Sequence, residues 1–143
     1  MSGHTIRLAL PVPPSEVFPF LTEPHLQQQW MGGLVSTRRL SAGPLAVGTR
    51  IEDVISAAGQ RLTFQTTVTR LDAPHRYEAE MVTKGVEIEA RYHLKPDDDG
   101  TLLRYDADTR FTTFAMRLLA GTIEKKARES LDADFERLRA LFA

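Results

Sequence analysis

The sequence predicts an α+β domain in which a curved antiparallel sheet of about seven strands wraps one long C-terminal helix. Three observations carry that expectation. A strand-like start, HTIRLAL, is followed at once by two short, Pro-led helical fragments. Between Gly33 and Phe111, segments of apolar–polar alternation are separated by turn residues. From Phe114 to Phe142 the apolar period lengthens from two residues to three or four.

In HTIRLAL, Ile6, Leu8 and Leu10 share one face and Thr5, Arg7 and Ala9 the other, the mark of a half-buried strand. PVPP ends it, and Pro14 suits the first turn of a helix, where a missing N–H costs nothing. SEVFPFL supplies a short helix with Val17, Phe18 and Leu21 on its apolar face; Pro19 is tolerated because the helix barely outlasts its first turns. Pro24 opens a second fragment, in which Leu26 and Trp30, four apart, share a face.

GLVSTRRL, TRIEDVISA, RLTFQTTVTRL, RYEAEMVT, VEIEARYHL and TLLRYDADTRF then read as a meander of strands, with a hairpin around Gly59 and a solvated turn at Asp97, Asp98 and Asp99 before Gly100. The alternation puts Phe64, Thr66 and Val68, then Tyr77, Ala79 and Met81, then Ile88, Ala90 and Tyr92, then Tyr105 and Ala107 on the core side. In the final segment Met116, Leu119, Ile123, Ala127, Leu131, Phe135, Leu138 and Phe142 form one stripe, opposite a face of Lys, Arg, Glu and Asp. Read as one helix it is about 40 Å long and must cross several strands. Gly121 marks close packing or a bend.

With 143 residues the chain fits one domain, residues 1–143, with enough surface to bury for a core that needs no staple. Apolar residues at 42% and charged residues at 26% are those of an ordinary globule. A net charge of −1 argues against nucleic acid as a partner. The absence of cysteine excludes disulfides and thiolate chemistry. No window has the length of a signal-peptide core or a membrane span, so cytoplasmic localisation is the expectation. The four histidines, His4, His25, His75 and His93, have no metal-ligand spacing, and no Walker loop, GxGxxG or GxSxG is present; neither metal nor cofactor is expected.

The candidate site residues each carry an ordinary alternative. Trp30 is a packing residue or the wall of a ligand entrance. Asp53 shares strand parity with Ile51 and Ile55 and would be an inward polar anchor, unless a bulge turns it out. Tyr77, Tyr92 and Tyr105 all fall on inner faces, as core residues or as hydroxyls that orient a ligand, with Thr66 and Thr109 beside them. Met81 and Met116 are core, or adaptable contacts for a variable ligand. His25 alone among the histidines would see the mouth of a cavity.

The run LPVPPSEVFPFLTEPHLQQQW, then Val47-Gly48-Thr49 before a strand, GTLLRY in the last strand and the long final helix together resemble the START-related, helix-grip superfamily. That group includes polyketide cyclases, ring-hydroxylase components, lipid-transfer domains and plant pollen allergens. Pro19 departs from its pattern in the first short helix. The resemblance implies a hydrophobic cavity between the concave sheet face and the helix, plugged near the short helices. It would be lined by Trp30, Asp53, Phe64, Tyr77, Met81, Tyr92 and Tyr105, and by Met116, Leu119 and Ile123 from the helix. The expected function is binding of a small hydrophobic or amphipathic ligand, lipid-like, polyketide-like or aromatic. The alternative is a cyclase or dehydratase in the same cavity, with Asp53, a tyrosine and, third, His25 as acid–base candidates. An interaction subunit is the remaining class, and a homodimer is compatible with each.

Overall fold

The computed structural model describes residues 2–57 and 59–143. The elements follow in the order β1 (Ser2–Leu10), α1 (Pro14–Thr22), α2 (Pro24–Gln27), β2 (Leu34–Arg39), β3 (Arg50–Ala57), β4 (Gln60–Asp72), β5 (Arg76–Thr83), β6 (Val86–Asp97), β7 (Gly100–Phe111), α3 (Phe114–Leu118) and α4 (Ala120–Leu141). The strands make one seven-stranded sheet in the order β1-β7-β6-β5-β4-β3-β2. Every pairing is antiparallel. The hairpin expected at Gly59 joins β3 to β4, with Gly59 at φ +78°; its neighbour Ala58 lies outside the described residues.

The predicted alternation reappears as two unlike faces. On the convex face Arg91 bridges Asp108 at 2.7 Å and Glu89 at 2.9 Å, and Arg104 meets Asp106 at 3.0 Å. These pairs lie in water and contribute little to stability. The concave face carries the core. Its main cluster joins Leu94, Leu103, Tyr92 and Tyr105 of the sheet to Val17, Phe18 and Leu21 of α1, to Trp30, and to Phe135 and Leu138 of α4. Phe135 is 2% exposed and Leu138 0%, so each contributes roughly 1.5–3 kcal/mol through burial. A second cluster, Phe64, Val86 and Phe111, sits at the other end, under Met116, Ala120 and Ile123.

The C-terminal segment is two helices, not the single helix that the stripe predicts. The break falls at Leu119, whose φ of −97° and ψ of 0° end α3. Leu118 and Leu119 are 70% and 55% exposed, so no packing holds a continuous helix straight across this point. α4 alone, with 22 residues, is about 33 Å long. Thr113 caps α3, its hydroxyl accepting from the Met116 N–H at 3.2 Å. The β5–β6 turn touches α3 closely: Gly85 has φ +87°, and a Cβ there would stand 2.5 Å from Met116 Cγ. Among the described residues no helix is long and apolar enough to cross a membrane.

Candidate functional site

Antiparallel register arranges the concave face in rows, because residues directly opposite one another share a face. One row is aromatic: Tyr77 stands opposite Tyr92, and Tyr92 opposite Tyr105. The rings of Tyr77 and Tyr92 stack with centroids 6.0 Å apart, and those of Tyr92 and Tyr105 lie 4.8 Å apart. Tyr105 also meets Phe135 of α4 at 5.2 Å. The next row is small: Ala79, Ala90 and Ala107 face one another across β5, β6 and β7. Beyond it come Met81, Ile88 and Thr109.

α4 runs over these rows with an apolar arc turned to the sheet, made by Ala120, Ile123, Leu131, Phe135 and Leu138. Ala127 lies in the middle of that arc, one turn from both Ile123 and Leu131, yet it is exposed. Helix and sheet therefore do not fill each other at this level. On the facing strands Asp53, Ile55, Leu62, Met81 and Ile88 are only partly buried. This partial exposure on both sides supports a groove rather than the closed cavity that the resemblance implied, above a floor of Ala79, Ala90 and Ala107 that is itself 5–6% exposed. Two shallow depressions of about 280 and 380 Å³ lie elsewhere, around Gly121, and are lined entirely by α4 residues such as Lys125 and Glu129.

Asp53 faces inward. Its pairing with Phe64 puts it on the core side, and its Oδ2 accepts the Thr66 hydroxyl at 2.7 Å. The bulge that would have turned it out is in β2 instead, between Leu34 and Ser36. Burial pushes the Tyr77 phenol up to about 12, with the Asp53 carboxylate adding to the shift and Arg39 opposing it. Burial likewise raises Tyr105 to about 12 and Tyr92 well above the usual phenol range. All three are neutral at physiological pH, so they can donate hydrogen bonds but are poorly suited to act as bases. Asp134 of α4 is raised by burial, against the bond from the Gly32 N–H at 3.1 Å and the Arg137 guanidinium.

The remaining predicted residues do not all reach the groove, contrary to expectation for Trp30 and Leu119. Phe64 is buried in the second cluster, with Met81, Met116 and Ile123 packed on it. Leu119 stands out to solvent at the α3–α4 joint. Trp30 is 1% exposed: its Nε1 donates to the Phe20 carbonyl at 2.8 Å and its ring packs on Phe135 at 5.0 Å. Its place is the packed end of the grip. There Arg137 donates to the Trp30 carbonyl at 3.1 Å and pairs with Asp134, tying the α2–β2 loop to α4. His25 is exposed on α2, outside the groove. His4, expected only as a terminal residue, faces inward opposite Ala107, with Nε2 3.7 Å from Asp132.

Sequence reasoning missed Arg39. Read by strict alternation from Leu34, Arg38 and Leu40 would point inward and Arg39 outward. The bulge shifts the parity by one, so Arg39 stands opposite Ile51, a core residue, while Arg38 pairs with Glu52 on the outer face at 3.3 Å. No cluster of His, Cys, Asp and Glu suited to a metal ion is found among the described residues.

The comparisons fit this architecture. A crystal structure of TTHA0849 from Thermus thermophilus superposes with a TM-score of 0.78 at 16% identity, covering 97% of this chain and 95% of that one. Ara h 8.0201 superposes at 0.72 and 14% identity, covering 99% and 98%. DynU16, from the dynemicin biosynthetic locus, superposes at 0.68 and 16% identity, covering 98% of this chain but 46% of its own. At these identities the likeness is one of fold, the helix-grip fold. No curated protein matches the sequence. The family model described as polyketide cyclase / dehydrase and lipid transport matches residues 5–143, essentially the whole chain, and with the gripped helix and the layered concave face this makes the protein a member of that family.

Proposed function

We propose that the protein binds a small hydrophobic or amphipathic molecule in the groove between the concave sheet face and α4. The observation that carries this reading is the exposure of Ala127 in the middle of the arc that α4 turns toward the sheet. Apolar surface left uncovered inside a fold is unfavourable, and a ligand that fills it gains the burial that the side chains forgo. The alanine row gives room, Met81 and Ile88 give an apolar wall, and the neutral tyrosines supply hydroxyl donors near one end. Such a lining suits carriage or sequestration of a molecule with one greasy and one polar part, in the cytoplasm.

Asp53, inward and close enough to influence Tyr77, favours chemistry on that molecule as a second reading, of the cyclase or dehydratase kind. Binding is the stronger of the two, because the phenols are held neutral and the Asp53 carboxylate is engaged with Thr66. The test is titration with N-phenyl-1-naphthylamine, an uncharged probe that fluoresces in apolar surroundings. One molecule bound per chain, displaced by uncharged alkanols, is the expected result. No saturable binding would end the proposal.

A further inference from the structure

We propose that Arg39 is the polar anchor of the groove and that the molecule bound there is an amphipathic carboxylate. This rests on the groove-binding reading and adds the class of ligand. β2 is an edge strand, and the bulge between Leu34 and Ser36 turns Thr37 and Arg39 to the concave side, opposite Asp53 and Ile51. Arg39 is partly buried. Its neighbour Arg38, on the outer face, has an acidic partner in Glu52 at 3.3 Å. Among the described residues Arg39 has neither an ion pair nor a side-chain hydrogen bond. A guanidinium drawn partly out of water without a counter-charge is held at a cost, and an anion arriving in the groove removes that cost.

The surroundings narrow the anion. Asp53 is diagonal to Arg39 across the β2–β3 pair, with Oδ2 occupied by the Thr66 hydroxyl. Among the described residues Asp53 forms no ion pair with Arg39, but a second negative charge on a ligand would stand near it. A dianion such as a phosphate monoester would be opposed by Asp53, whereas a monoanion is matched by the single guanidinium. The planar fork of Arg fits a carboxylate with two parallel N–H donors. From Arg39 the row Ile51, Thr66, Met81 and Ile88 runs across the sheet, and an aliphatic or aromatic tail would lie along it beside Ala79 and Ala90.

The experiment displaces N-phenyl-1-naphthylamine with decanoate, decanol and decyl phosphate at pH 8, in the wild-type chain and in Arg39→Gln. Trp30 fluorescence through a thermal melt confirms that the variant is folded. Decanoate should displace the probe at a concentration at least tenfold below decanol. Arg39→Gln should abolish that advantage and leave decanol unchanged. Equal displacement by acid and alcohol, or an advantage that survives in Arg39→Gln, overturns the anchor while the groove reading stands. Decyl phosphate displacing more strongly than decanoate overturns the carboxylate class. A wild-type chain that does not bind the probe overturns both.

Discussion

Replacing Ala127 with Leu should stabilise the fold and close the groove. The new side chain adds three carbons at a position that faces the sheet yet is exposed. At about 0.8 kcal/mol per buried carbon the gain is up to about 2.4 kcal/mol. Fixing the Leu rotamer takes back about 0.5–1 kcal/mol. Helix propensity barely changes between Ala and Leu. A net gain of about 1.5 kcal/mol follows, visible in urea denaturation as a higher midpoint at unchanged slope. The same variant should lose at least tenfold in affinity for N-phenyl-1-naphthylamine. Ala133→Leu, on the exposed face of α4, is the control and should change neither quantity. If Ala127→Leu instead destabilises by about 1–3 kcal/mol, as an overfilled core does, the helix and sheet already fill each other and the groove does not exist.

Two further outcomes are expected. The chain has 3 tyrosines, all on the concave face, and burial raises each phenol above its unfolded value near 10. Tyrosinate absorbance at 295 nm should therefore stay flat through pH 10 in the native protein, and rise there in urea. Because the folded values are the higher ones, stability from this source is complete below pH 10 and falls as pH rises toward 12. A full tyrosinate signal at pH 10 with the fold intact would show the row to be exposed. Gly85→Ala places a side chain at φ +87° and against Met116, and should cost about 1–2 kcal/mol in urea denaturation. A variant as stable as wild type would mean that α3 does not rest on the β5–β6 turn.

Much of the architecture was legible because period two and period 3.6 are strong signals when one face is buried. VEIEARYHL and TLLRYDADTRF placed Tyr92 and Tyr105 on the concave side without error, since β6 and β7 are regular and paired along their whole length. Their lateral alignment into a row was not legible: register depends on turn lengths and bulges that alternation within one strand does not reveal. The bulge in β2 is the clearest case. One extra residue exchanged the faces of Arg38 and Arg39, and so hid an inward cation from any reading by parity. The break at Leu119 was hidden for another reason. The apolar stripe continues through it, and only the lack of a packing partner for Leu118 and Leu119 ends α3 there. Trp30 was ambiguous because an indole suits both a packed interior and a ligand mouth; the Phe20 carbonyl and the Phe135 ring settle its surroundings.

The pairing of β1 with β7 governs how the molecule is made. Leu10 meets Thr101 and Gly3 meets Asp108, so β1 waits for β7, the last strand of the sheet to be made. Until β7 leaves the ribosome, the N-terminal strand has no neighbour and the meander from β2 to β6 keeps an unfinished margin. Contacts so distant along the chain make folding slow, and that margin is the place where a nascent chain would associate with another. The gripped helix comes later still. A chain that stopped after β7 would have a sheet whose greasy side has nothing to hold, a product for the degradation machinery rather than a smaller working protein.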